Sequence, residues 1–392
     1  MKTLDGIRVV DLTQIYNGSY AAFLMAMSGA EVVKVEPHGG ERLRRGAGAE
    51  TPFAFAMLNS NKKCVTLDLK AERGKEILKG LVKEADILLE NFAPGIMDKL
   101  GVGWDVLRKV NARLIYGSST GYGLSGPDCD QLAMDHTIQA TSGVMGLTGE
   151  PGRPPVRAGG APCDFMGGVH LFGGVMAALE GRHKTGKGTR VEVSMLEAMY
   201  YTLGSEFGYY HRYGKLPERR GVKSASSSTP YSIYPCSDGY VAVICVSEQH
   251  WLNLLDLIGR ADLKTNSDYK DRESRYAHEP EINELVSAWT RTHARNDAYM
   301  LMRKARIPVA AVRDLEEVRT DAHLHARKML EWKDHPEMGR IVLNNSPIRF
   351  SDYDYSDIEF FHPLGADNEA VYADWLGLTN DEIATLKKDD VI

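Results

Sequence analysis

The chain has 392 residues, a net charge of −6, 43% hydrophobic and 26% charged residues. That length suits two or three domains with a buried core, and the composition excludes disordered, collagen-like and coiled-coil classes. The acidic balance gives the molecule as a whole no electrostatic reason to bind nucleic acid or an anionic membrane, while a local basic patch stays free to hold a phosphorylated cofactor.

The N-terminus, MKTLDGIRVVDLT, carries Asp5 and Asp11 within its apolar region and lacks the shape of a signal peptide. Strands are predicted over Ile7–Leu12, Glu31–Val35, Cys64–Leu69, Asp86–Leu89 and Leu114–Ser118, with helices over Tyr20–Ser28 and Arg73–Glu84. This alternation is the pattern of a mostly parallel α/β sheet, which binds ligands at the carboxyl ends of its strands. The loops after Leu12, Val35, Leu69 and Leu89 are therefore where a site is expected. From Asp164 to Arg182 the chain is glycine- and alanine-rich and reads as a tightly packed helix. Its uncharged run, Phe165 to Leu179, is too short to span a bilayer and holds four glycines. A strand over Arg190–Val193 and a long aromatic helix over Ser194–Gly214 follow. The polar stretch Glu218–Thr229 is the best boundary in the chain. Beyond it, residues 230–315 read as a smaller α/β domain opening on a hairpin turned at Ser237–Gly239. Strands at Ile341–Leu343 and Ile348–Phe350 are expected to return to the first sheet.

Five cysteines, odd in number and widely spaced, argue against a disulfide framework and for a reducing cytoplasm. No metal site is expected: Asp321-Ala-His323-Leu-His325 is the single close cluster, and there is no C-x-x-C or H-E-x-x-H. Gly121-Tyr-Gly123-Leu-Ser-Gly126 matches the dinucleotide fingerprint, but Pro127 and Asp128 follow at once and no helix opens at the third glycine. It reads as a loop near a pocket. Asp164 stands in Gly159-Gly-Ala-Pro-Cys-Asp164-Phe-Met-Gly-Gly168, a stretch otherwise uncharged and almost without side-chain bulk. It suits first a helix N-cap, and the same placement leaves the carboxylate accessible to act as a nucleophile.

The segments LDGIRVVDLT (4–13), GAEVVKVEP (29–37), NKKCVTLDLK (61–70), ADILLENFAPGIMDKLG (85–101), APCDFMGGVHLFGGVMAAL (161–179) and RHKTGKGTRVEVSMLEA (182–198) resemble the class III CoA-transferases, which include the alpha-methylacyl-CoA racemases. The resemblance runs in order over nearly the whole chain. It implies a Rossmann-like large domain, residues 1–200 completed by 325–392, a linker at 201–229, an inserted small α/β domain at 230–315, and a return through 316–392. It also implies an interlocked-ring homodimer. The expected activity is acyl-CoA:carboxylate CoA transfer, with coenzyme A entering as a substrate and no tightly bound cofactor. Asp164 is then the nucleophile, forming first an acyl anhydride and then an aspartyl-CoA thioester. The expected CoA contacts are Ile15, Leu67, Lys70, Asn91, Phe92 and Lys99, with Asp135 an acidic position near the thioester.

The chain departs from that pattern in places. Tyr16-Asn17-Gly18-Ser19 stands where many relatives have a small-residue/Gly-Pro step. The glycine-rich loop of formyl-CoA transferases is missing and Ser224–Ser228 lies nearby instead, which argues against formyl-CoA:oxalate specificity. Racemases place a histidine immediately before the Asp135 position; here that residue is Met134. A transferase is favoured over the alternatives, a racemase or a non-catalytic CoA-binding protein.

Overall fold

The structure is a computed structural model that describes residues 2–45, 53–223, 228–336, 338–354 and 356–392. Residues 224–227 of the serine-rich stretch lie outside the described residues. Six strands, β1 (Arg8–Asp11), β2 (Glu31–Glu36), β3 (Lys63–Thr66), β4 (Ile87–Glu90), β5 (Ile115–Thr120) and β6 (Thr189–Ser194), form one sheet in the order β3-β2-β1-β4-β5-β6. Every neighbouring pair is parallel. Side chains alternate across the pleat, so both faces are apolar. Val10, Val33, Val65 and Leu88 pack on one face with Leu78 and Leu81 of helix α2 (Glu72–Glu84) and with Tyr372 and Trp375. Val9, Val32, Ile87 and Ile115 pack on the other with Ala22 and Met25 of helix α1 (Asn17–Met27).

Helix α3 spans Asp135–Thr141 and helix α4 spans Pro162–Thr185. At 24 residues α4 is long and apolar enough, by length and composition, to cross a bilayer, and it extends past the uncharged run that the sequence suggests. Here Leu171, Val175 and Leu179 bury against the sheet beside α1, each contributing roughly 1.5–3 kcal/mol.

Chain contacts separate two units: residues 1–142, 158–202 and 321–392 form the one holding the parallel sheet, and 143–157 with 203–320 form the other. In the second unit β7 (Tyr231–Pro235), β8 (Tyr240–Ile244) and β9 (Val309–Ala311) make an antiparallel sheet. Tyr234, Val241 and Val243 of that sheet pack on Trp251 and Leu254 of α5 (Glu248–Leu257), Val286 of α6 (Glu279–Thr290) and Met302 of α7 (Arg295–Lys304).

Three expectations are corrected. Ile341–Leu343 does not rejoin the first sheet; it lies in β11 (Gly339–Asn344), which pairs antiparallel with β10 (Leu330–His335) as a separate two-stranded sheet. The free edge of β3 is closed by side chains instead: Cys64 N–H donates to Asp367 Oδ2 and Thr66 N–H to Asn368 Oδ1 at 2.9 Å. Ile348–Phe350 is irregular, since Pro347 offers no ladder donor and the Ile348 N–H bonds to Ser346 Oγ at 3.1 Å. The aromatic helix is broken: Met195–Tyr200 and Gly204–Tyr213 are separated by a 3₁₀ turn at Tyr201–Leu203.

Candidate functional site

In the order 3-2-1-4-5-6 the chain reverses direction between β1 and β4, and the loops leaving those two strands part to open a crevice. The loops are tied across it. Gln14 N–H donates to Asn91 Oδ1 and Asn91 Nδ2 donates to the Gln14 carbonyl, both at 2.8 Å. The β1 loop carries Ile15 at φ 62°, a left-handed conformation that costs a β-branched residue on the order of 1–3 kcal/mol. A fully buried ionic cluster holds the base of that loop in place. Lys62 Nζ donates to Asp11 Oδ2 at 2.9 Å and to the Ser19 carbonyl at 3.1 Å, while Lys34 Nζ donates to the Thr13 carbonyl at 2.8 Å. Burial alone raises the Asp11 carboxyl, but the Lys62 and Lys34 ammoniums hold it below the usual carboxylate range. Burial depresses Lys62 to about 8 against the pull of Asp11.

Asp164 is the third residue of α4, so it is not the cap of its own helix. The cap comes from α3: Asp135 Oδ2 accepts the N–H of Cys163 at 2.7 Å and of Asp164 at 3.2 Å. Asp135 Oδ1 in turn accepts from Gln139 Nε2 at 2.6 Å, and Gln139 Oε1 accepts the Ala158 N–H at 2.8 Å. Two carboxylates therefore share one helix start, one spent on backbone donors and one left over. Burial, with the Asp135 charge second, pushes the Asp164 carboxyl up to about 7. The neighbouring Cys163 thiol is pushed by burial and by both carboxylates to about 12, which keeps it protonated and inert.

Asp164 lines a cavity of about 400 Å³ together with Ile15, Asn91, Phe92, Met134 and Met195. A second cavity of about 440 Å³ is lined by Leu67, Lys70, Phe92 and Lys99. Gln14 and Phe92 line both, so the two cavities meet at the crevice. The structure thus brings seven of the eight sequence-predicted positions to one connected region. Asp135 is the eighth; it lines neither cavity and acts on Asp164 through the helix start. Lys70 and Lys99 are exposed and have no acidic partner among the described residues. They are free to meet phosphate.

Asn17, Ser119 and Arg42 also line the Asp164 cavity; the sequence marked Asn17 only as part of a departing step and singled out neither Ser119 nor Arg42. Gly167 and Gly168 allow the approach of Asn17: a Cβ on Gly167 would lie 2.8 Å from Asn17 Nδ2, and one on Gly168 2.5 Å from the Asn17 carbonyl oxygen. Asn17 Oδ1 and Ser119 Oγ are buried with no hydrogen-bond partner among the described residues. Each such group costs roughly 1–3 kcal/mol if left dry. The signal for Ser119 was Gly117-Ser-Ser119-Thr-Gly121, which spells G-x-S-x-G. A nucleophile elbow needs that motif on a strand-to-helix turn, whereas here it runs along β5 and no histidine lines the cavity.

The doubly wound α/β sheet thus holds an unspent carboxylate in a cavity at its switch point. The family model for CoA-transferase family III matches residues 4–368. Formyl-CoA:oxalate CoA-transferase of Streptomyces avermitilis is 34% identical over all of this chain and all of that one. The succinyl-CoA–L-malate CoA-transferase beta subunit of Chloroflexus aurantiacus is 32% identical over 99% of this chain and 98% of its own. Among solved structures, a CAIB/BAIF family protein from Brucella suis superposes with a TM-score of 0.84 at 30% identity, covering 95% of this chain and 99% of that one. The chain belongs to CoA-transferase family III.

Proposed function

We propose that the protein is an acyl-CoA:carboxylate CoA-transferase in which Asp164 is the nucleophile. The observation that carries this reading is the Asp164 carboxylate, left over at a helix start and facing a cavity that continues at Gln14 and Phe92 toward Lys70 and Lys99. In the first step an Asp164 oxygen attacks the thioester carbonyl, the C–S bond breaks, and CoA leaves as thiolate with an acyl-aspartyl anhydride behind it. The thiolate then attacks the aspartyl carbonyl, forming an aspartyl-CoA thioester and releasing the donor acid as carboxylate. The acceptor carboxylate repeats both steps in reverse order and leaves as the new acyl-CoA, which restores Asp164. No proton is gained or lost over the cycle. CoA binds with its phosphates toward Lys70 and Lys99 and its thiol toward Asp164, with Ile15, Leu67, Asn91 and Phe92 along its length. Asp135 positions the nucleophile. Incubation with acyl-CoA and hydroxylamine, followed by peptide mass spectrometry, tests the assignment: the hydroxamate is expected on Asp164, and a variant Asp164→Ala with near-normal turnover would overturn it.

The racemase reading needs a base on each face of the α-carbon. Met134 lines the cavity where a racemase has histidine, and His136 is exposed and does not line it. No α-deuterium incorporation into a 2-methylacyl-CoA in D₂O is expected. The homodimer is supported by a cleft of about 840 Å³ along the β6 edge, where Tyr200 and Tyr201 are 58% and 80% exposed. The described cysteines are all unpaired, which suits a cytoplasmic setting.

A further inference from the structure

Gln14 and Phe92 line both the Asp164 cavity and the lysine-lined one, so they form the walls of the passage between them. Each is held by one of two consecutive residues at the end of β4. Asn91 grips the Gln14 backbone at its N–H and its carbonyl. Glu90 grips Phe92: its Oε2 accepts the Phe92 N–H at 2.9 Å. Glu90 itself lines neither of the two cavities, so it reaches them only through the residue it holds.

A carboxyl is a costly choice for that position. Glu90 is buried, and burial raises its carboxyl above the ordinary value against the hydrogen bonds it receives. The β4–β5 register sets Leu88 opposite Tyr116 and Glu90 opposite Ser118. Alternate positions share a face of the sheet, so Tyr116 is the diagonal neighbour of Glu90, and its hydroxyl hydrogen-bonds to the carboxyl. Trp104 packs against the Tyr116 ring at 5.9 Å. Beneath the turn a cavity of about 40 Å³ is lined by Glu90, Phe92, Asp98, Tyr116 and Arg190. A leucine would fill the place of Glu90 without the desolvation cost, but it has no acceptor for the Phe92 N–H. Resting on the transferase reading above, we propose that Glu90 is a positioning residue of the reaction: it fixes Phe92 at the passage so that the pantetheine arm delivers the thioester carbonyl to Asp164. A reacting carbonyl displaced by about 1 Å loses on the order of 10²-fold in rate, which gives the wall of such a passage its leverage.

The test compares an acyl-CoA with the N-acetylcysteamine thioester of the same acid, both read as hydroxamate formation on Asp164. The short thioester carries the reacting carbonyl but no nucleotide, so nothing anchors it at Lys70 and Lys99 and threads it past Phe92. Glu90→Leu is expected to lower kcat/KM for the acyl-CoA roughly tenfold or more, and for the short thioester by less than about threefold. Glu90→Gln keeps an acceptor for the Phe92 N–H and is expected to hold the acyl-CoA within about threefold of the wild type. If Glu90→Leu folds poorly, Tyr116→Phe takes its place: it frees the far side of the carboxyl, with an expected loss of about threefold on the acyl-CoA alone. If the short thioester is too slow to read, the order of wild type, Glu90→Gln and Glu90→Leu on the acyl-CoA decides. Equal losses on both thioesters, or none on either, overturn the positioning role. Glu90→Gln as poor as Glu90→Leu overturns the acceptor assignment. In these cases a wild-type hydroxamate on Asp164 leaves the transferase reading standing. Its absence from the wild type removes that reading and this role with it.

Discussion

A carboxyl held near 7 by burial and a neighbouring charge is half in its nucleophilic form at neutral pH. Since only the ionised form attacks, single-turnover formation of the aspartyl adduct is expected to rise with pH through about 7 and then level off. Asp135→Asn keeps an acceptor for the α4 donors but removes the charge, so the midpoint of that profile is expected to move to lower pH. The same shift has a stability sign. Between the ordinary carboxyl value of 3.8 and about 7 the native state holds a proton that the unfolded state has lost, so stability falls as pH rises through that window. Asp164→Asn is therefore expected to raise the thermal midpoint at pH 9, by up to about 4 kcal/mol of stability, and to leave it almost unmoved at pH 4. Equal shifts at both pH values, measured by calorimetry, would contradict the assignment. Asp164 was legible in the sequence because it stands alone among glycines. Ser119 was not, and Asn17 showed only as part of a departing step, since packing alone places them on the cavity wall. Asp135 was legible as an acid near the site, but its cap of a helix 28 residues on depends on tertiary geometry.

Among elements, the buried cluster of Asp11, Lys34 and Lys62 joins the end of β1, the middle of β2 and the approach to β3. Removing one member of such a cluster strands the others without solvent. Lys62→Met is expected to cost about 3–5 kcal/mol in denaturant unfolding, and Asp11→Asn with Lys62→Met to recover part of that loss. The single variant should also raise KM for acyl-CoA, because Lys62 and Lys34 bond the base of the loop that carries Ile15. An unchanged KM in a folded Lys62→Met protein would detach the clamp from the site. The parallel sheet was readable from alternating β-branched runs and helices. What periodicity could not give was the partner of Ile341–Leu343, because pairing is decided by which edges are already occupied. The Asp367 and Asn368 side chains occupy the edge of β3.

At the scale of the whole molecule, the exposed tyrosines beside the β6 edge predict a dimer that persists on dilution. Sedimentation at nanomolar concentration is expected to give twice the 43.4 kDa of the chain, and a monomer there would remove the interlocked arrangement. Tyr201→Glu should lower the thermal midpoint of that dimer without separating its chains and without touching the Asp164 cavity, which Tyr201 does not line.

The closure of β3 by the C-terminal segment has a kinetic consequence. Tyr372 Oη donates to the Thr66 carbonyl at 2.6 Å, and the wall of the lysine-lined cavity begins at the very next residue, Leu67. A nascent chain can lay down the first five strands early, yet this edge stays open until Asp367, Asn368 and Tyr372 leave the ribosome. Until the segment that carries Asp367, Asn368 and Tyr372 has emerged, β3 presents a bare strand to its neighbours.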